Sequence, residues 1–185
     1  MASSHGWVDV VRSLIHRSAD LNAKCQDRVD HLIYVMWTPL HVAIQKEHRD
    51  IVLLLLEGGA DSETLNSRNE TALYFASSRG CDDIVRQLIS HGADLNAECQ
   101  GSVGLNINVT WTALHLASYK GKAAITRTLL EHGANPNAPD TKGATALHLA
   151  IRGSGKVIDV ELLLEYGANA DVRDKKGWTP LHEAA

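Results

Sequence analysis

One hexapeptide pattern recurs five times along this chain: TPLHVA from Thr38 to Ala43, TALYFA from Thr71 to Ala76, TALHLA from Thr112 to Ala117, TALHLA from Thr145 to Ala150, and TPLHEA from Thr179 to Ala184. Each of the first four is followed by an aliphatic run and then a Gly-Ala pair. A period near 33 residues marks units that are too small to bury a core alone and must stack on one another. The 185 residues are therefore read as one elongated solenoid, although their number alone would allow one or two globular domains.

The residue types within a unit explain the pattern. The opening Thr (38, 71, 112, 145 and 179) can cap a first helix with its hydroxyl. Pro39 and Pro180 follow it at the first helical position, where a missing N–H is harmless. The fourth position holds His41, Tyr74, His115, His148 and His182, and an imidazole there offers a donor and an acceptor to backbone groups between layers. Ala43, Ala76, Ala117 and Ala150 let the first helix lie close to the second. The second helix carries one apolar stripe: Ile51, Val52, Leu55 and Leu56, then Ile84, Val85, Leu88 and Ile89, then Ile125, Leu129 and Leu130 with Thr126 in the remaining slot. Gly59, Gly92, Gly133 and Gly167 suit left-handed helix ends, and Asp61, Asp94 and Asn135 suit the turns after them.

These units resemble the ankyrin repeat, whose signature is T-P-L-H-x-A, and the resemblance covers nearly the whole chain. It implies an all-α solenoid of stacked helix-turn-helix units joined by β-hairpins. The phase gives a half-repeat at 1–24, repeats at about 25–65, 66–98, 99–139 and 140–173, and a half-repeat at 174–185. In the first half-unit Ser18 stands where glycine is expected, and Trp7 is expected to cover its open end. Neither end carries a polar cap, so the stretch reads as a piece of a longer array.

The opening threonines are 33, 41, 33 and 34 residues apart. The long spacing before Thr112 is matched before Thr38, and the two long stretches align at an offset of 74, pairing Cys25 with Cys99 and Trp37 with Trp111. A duplicated two-unit block explains this. Elongated hairpins are expected at about 25–37 and 99–111, beside a short one at 66–70, leaving a notch over the second unit. The segment from Val103 to Trp111 alternates apolar and polar residues, as a strand does. In the earlier copy Leu32, Tyr34 and Met36 make both faces apolar, which suits an association edge or local packing against the neighbouring hairpin. In the fourth unit the segment RGSGK, 152–156, has one extra residue and Asp159 falls where other units have Ile, so Ile158 is expected to fill that slot through a longer turn or a helical bulge.

The resemblance implies a non-catalytic protein-binding surface made from the C-terminal ends of the first helices and the hairpins. Its candidate residues are Tyr34, Met36, Trp37, Lys46, Arg68, Tyr74, Ser78, Arg79, Trp111, Tyr119, Lys120, Arg152 and Trp178. Lys46, Arg79 and Lys120 form a basic row with Arg152 close by, which suits an acidic partner, although dipole compensation at helix ends explains the same signs. Asp50, Asp82, Asp83, Glu131, Glu161 and Glu165 belong to the second helices, so the surface is expected to be electrically two-sided. Self-association through the first long hairpin or the uncapped ends is the alternative. An enzyme with a pocket between the long hairpins is the third reading.

No nucleophile elbow, H-E-x-x-H, phosphate loop or dinucleotide fingerprint occurs. The recurrent histidines stand a layer apart, about 8–10 Å, whereas zinc ligands converge within about 2.1 Å of one ion. They are read as structural, with His31 set apart in the long hairpin, and no metal or cofactor is expected. The net charge of −4, from 18 basic and 22 acidic residues, gives no pull toward nucleic acid. No run is long enough for membrane insertion. Cys25, Cys81 and Cys99 are read as free thiols, the two N-x-T sequons as chance matches, and the setting as cytoplasmic or nuclear.

Overall fold

The structure, a computed structural model, describes residues 2–30, 33–101, 109–154 and 156–185, with only the backbone described at 2–6, 26–30, 33–35 and 101. In chain order the elements are α1 (Ala2–His16), β1 (Cys25–Asp30), β2 (Ile33–Trp37), α2 (Pro39–Gln45), α3 (Arg49–Glu57), α4 (Ala72–Arg79), α5 (Asp82–Ser90), β3 (Cys99–Gly101), β4 (Val109–Trp111), α6 (Ala113–Tyr119), α7 (Ala123–Glu131), α8 (Ala146–Arg152), α9 (Val157–Glu165) and α10 (Pro180–Ala184). Two rows result. The first helices α2, α4, α6, α8 and α10 pack in succession, and the second helices α1, α3, α5, α7 and α9 do the same beside them. The all-α solenoid expected from the repeat is the architecture observed.

Local chemistry sets each layer. Thr38, Thr71 and Thr112 accept the N–H three residues on, and in the layers of Thr112, Thr145 and Thr179 the histidine ring closes the box back onto the threonine. The glycines at 59, 92, 133 and 167 all take positive φ. Ser18 takes the same left-handed conformation at φ 58°, so the first half-unit keeps the turn without glycine. The turn after it is an Asx turn in every layer: Asp20, Asp61, Asp94, Asn135 and Asn169 each accept the N–H two residues on. A second rung ties the layers together, because Asn22, Glu63, Asn96 and Asn137 accept the backbone N–H of the next layer's Asx residue.

The main core runs through all layers, from Leu40, Ile44, Val52 and Leu55 to Leu147, Leu162 and Leu163. A second cluster, formed by Tyr74, Cys99, Val109, Trp111, Leu116, Ala144 and Leu149, lies under the β3–β4 hairpin. Both hairpins have the same register at their bases, Cys25 opposite Trp37 and Cys99 opposite Trp111, as a duplicated block requires. The first is long, with an irregularity between Arg28 and Asp30. Residues 102–108, within the second expected hairpin, lie outside the described residues, as do His31 and Leu32 and the side chain of Tyr34.

One expectation is corrected. Ile158 does not fill the inward slot: it is 52 % exposed, while Asp159 is 0 % exposed. Helix α9 is regular, and its phase is held by Leu162, Leu163 and the turn at Gly167, so no single side chain can rotate inward out of step. The extra residue is taken up ahead of the helix. There Gly153 runs so close to Tyr119 that a β-carbon would collide with that residue's carbonyl oxygen and ring.

Candidate functional site

The fourth-position histidines do what the sequence asks of them. His41, His115 and His148 use Nδ1 on their own capping threonine; Nε2 of His41 and His148 meets a carbonyl of the next layer, at Glu70 (3.1 Å) and Trp178 (3.1 Å), and that of His115 meets the Ala138 carbonyl (3.0 Å) at the end of its own repeat. Burial holds His41 down to about 4, against a smaller upward pull from the Glu70 carbonyl. Burial lowers His115 as well. Tyr74 is the exception, and it precedes the layer with the β3–β4 hairpin. There the Cys99 thiol, which lies 3.4 Å from the Thr71 N, stands at the base of the next layer, and the buried Tyr74 hydroxyl has no hydrogen-bond partner among the described residues.

The expected contact residues divide sharply. Trp37 and Trp111 are not rim anchors: they are 3 % and 6 % exposed. Trp37 packs edge-on to Phe75 at 4.9 Å between ring centres. Trp111 lies 5.2 Å from Tyr119 and donates its Nε1–H to Asp140. A residue at a hairpin base is covered by the following layer, which is why both lie inside. Tyr74 is buried for the same reason. Trp178 is 46 % exposed, and Met36, Lys46, Arg68, Arg79, Lys120 and Arg152 are exposed, with Ser78 and Tyr119 half-buried.

The basic row is present, and Arg79, Lys120 and Arg152 in it are braced. Arg79 donates to Gln45 (3.1 Å) and pairs with Glu47 (3.2 Å) of the preceding layer. Lys120 donates to the Ser78 carbonyl (3.2 Å), and burial lowers its pKa. Arg152 pairs with Glu183 and, more distantly, with Asp174 of the following layer. Cations at the ends of first helices thus reach one layer along the stack. On the second-helix row Asp83 pairs with Arg49 and Asp82 with Arg86, while Asp50, Glu131, Glu161 and Glu165 are exposed. The division of charge between the rows is therefore softened by pairing within each.

Two sets of residues escaped the sequence reading. Asn66, Asp140 and Asp174, each five residues ahead of a capping threonine, build the short turns by accepting backbone N–H groups at i+2 and i+4. Their common spacing from the threonine was the available signal. The second is the pair Thr126–Asp159, a buried hydroxyl donating to a buried carboxyl at 3.2 Å between α7 and α9. The second carboxyl oxygen of Asp159 has no partner among the described residues, and burial raises the group's pKa. Among the described residues no three His, Cys, Asp or Glu side chains are placed to hold a metal ion.

The comparisons agree with this geometry. A family model described as ankyrin repeats (3 copies) matches residues 1–99 and 65–140, and one described as ankyrin repeats (many copies) matches 129–184. The chain is 30 % identical over 105 residues to human BCL-6 corepressor-like protein 1, covering 57 % of this chain and 5 % of that protein. It is 31 % identical over 100 residues to ankyrin repeat protein nuc-2 of Neurospora crassa, covering 54 % and 9 % respectively. To ankyrin repeat and KH domain-containing protein mask-1 of Caenorhabditis elegans it is 36 % identical over 92 residues, covering 50 % and 3 %. The aligned region thus spans less than a tenth of each of these relatives.

Proposed function

The chain belongs to the ankyrin-repeat family, and from that premise we propose that it holds an acidic peptide or protein partner along the row of first-helix ends. Ankyrin repeats are generally non-catalytic protein–protein interaction modules. The observation that carries the finer reading is the alignment of Lys46, Arg79, Lys120 and Arg152 along successive first helices, all exposed. Their braces do not oppose it. Exposed ion pairs contribute about 0–1 kcal/mol, so a partner's carboxylate can exchange for the exposed Glu47 at little loss. Free thiols at Cys25, Cys81 and Cys99 support a reducing, cytoplasmic or nuclear setting. Among the described residues no helix is long and apolar enough to cross a membrane.

The test is affinity capture with the wild-type chain and with Arg79→Glu/Lys120→Glu. Proteins retained by the former and lost by the latter, at equal thermal stability, support the reading, and unchanged capture overturns it. Homotypic assembly, the second reading, has an observation of its own. An apolar groove of about 520 Å³, lined in part by Trp7, Val11, Pro39, Val42, Ile51 and Leu55, lies at the first layer, and Leu181 on α10 is 77 % exposed at the last. Trp7 lines that groove and does not close it. Insertion of one copy's α10 beside another's α2 predicts a sedimentation coefficient that rises with concentration and stays constant in Leu181→Glu.

A further inference from the structure

We propose that the groove lined by Lys142, Lys175, Lys176 and Trp178 is the docking site for an acidic peptide segment. The inference rests on the protein-binding reading and names the place and chemistry of capture. The groove has a volume of about 500 Å³ and lies between two neighbouring turns and the first helices α8 and α10, with Arg152, Asp174 and Glu183 completing its wall. It is a built feature. Asp140 and Asp174 each hold their own turn through two or more backbone N–H groups, and the Lys175 N–H donates to the Lys142 carbonyl at 2.8 Å, locking the two turns side by side.

Charge then decides what fits. The lining carries four cations and two carboxylates, and both carboxylates are already engaged. Glu183 is held by Arg152. Burial pushes Asp174 up, but the N–H groups of Trp178 and Lys176 outweigh it and hold the group below the usual carboxylate range. Lys142, Lys175 and Lys176 are exposed and enter none of the ion pairs among the described residues. Three unbraced ammonium groups therefore converge on one groove, whereas Arg79, Lys120 and Arg152 are braced. Trp178 lines the same groove in this last described layer, with its indole 46 % exposed. An open indole beside lysines suits a peptide that alternates carboxylates with an apolar side chain. A nucleic-acid strand needs a longer positive track with successive stacking faces, and the groove presents one ring and a single cluster.

The probe is a fluorescein-labelled decapeptide of Glu and Asp with a central Leu-Leu pair, titrated against the full chain by fluorescence anisotropy. Saturable binding is expected, weakening several-fold as salt rises from about 0.05 to about 0.3 M. Lys142→Glu/Lys175→Glu/Lys176→Glu is expected to weaken it at least tenfold, and Trp178→Ala severalfold, while Arg79→Glu/Lys120→Glu changes it less than twofold. In a Trp7→Phe background the peptide should shift the emission of Trp178, because Trp37 and Trp111 are inside. No binding, equal binding by the triple lysine variant, or tighter binding of a labelled oligothymidylate of the same length overturns the site. If partner capture still depends on Arg79 and Lys120 in that event, the broader protein-binding reading stands without it. If the peptide binds here while capture ignores both sets of cations, the site stands and the row does not.

Discussion

The buried polar side chains carry most of the specificity in this stack. His41 satisfies its own helix cap and a carbonyl of the next layer at once, whereas the hydroxyl of Tyr74 at the equivalent position finds no partner among the described residues. Truncations at the two sites should therefore differ in size. Tyr74→Phe is expected to change unfolding free energy by less than about 0.5 kcal/mol or to raise it, and His41→Phe to lower it by about 2 kcal/mol, because it orphans buried partners. Urea melts compare the two directly. Acid stability follows from the same histidine. In the unfolded chain His41 takes up a proton near pH 6.5, and in the fold it does so only near 4. Acidification between those values favours the unfolded chain, by up to about 3 kcal/mol from His41 alone, and above pH 7.5 the group contributes nothing. His115 acts in the same direction. Burial raises Glu70, which acts oppositely: the fold recovers stability as that carboxyl is protonated. A falling urea midpoint from pH 7.5 to 5.5, with a shallower fall in His41→Gln, is the expected outcome.

At the scale of elements, a helix moves as a unit while a turn absorbs irregularity. The extra residue of the fourth layer is taken up before α9, and the helix then presents Asp159 inward because its phase is set by Leu162 and Leu163. The buried carboxyl is retained at a loss. Asp159→Asn, which keeps the acceptor for Thr126, is expected to stabilise the chain by about 1 kcal/mol at pH 7. The gain should fade on acidification, since a raised carboxyl pKa means that the wild-type fold gains stability as the group is protonated. Thermal melts at pH 7 and 4.5 test both parts. The hairpins show the complementary behaviour. Cys25 and Cys99 hold the same register position, yet Cys25 is exposed and Cys99 buried, because Cys99 is covered by Thr71 of the preceding layer.

Across the whole molecule, stability is a sum over neighbouring layers rather than over one central core. Helices α4 and α6 pack on first helices to both sides, while α10 packs chiefly on α8 among the described residues and leaves Leu181 exposed. Amide hydrogen exchange should therefore be slowest in α4 to α7 and fastest in α1 and α10, and uniform protection would contradict a layered energy balance. Electrostatics acts at the same scale. Braces from Arg79, Lys120 and Arg152 join successive layers along one edge, and Lys142, Lys175 and Lys176 line one groove beside Arg152.

The repeat, the caps, the histidine bridges and the glycine turns were all legible in the sequence, because each depends on residues within one unit or on a fixed offset to the next. Even Ser18, at the place of a glycine, was assigned by phase alone. The fates of Trp37, Trp111 and Tyr74 were not legible, since burial is set by whichever side chains the next layer lays over them. Nor was the inward turn of Asp159, which depends on helix phase counted from the far end of α9. The braced state of the basic row and the free lysine cluster beside Trp178 were likewise decided only by tertiary structure. Ion pairing depends on distances between layers, and a linear sequence carries the charges but not those distances.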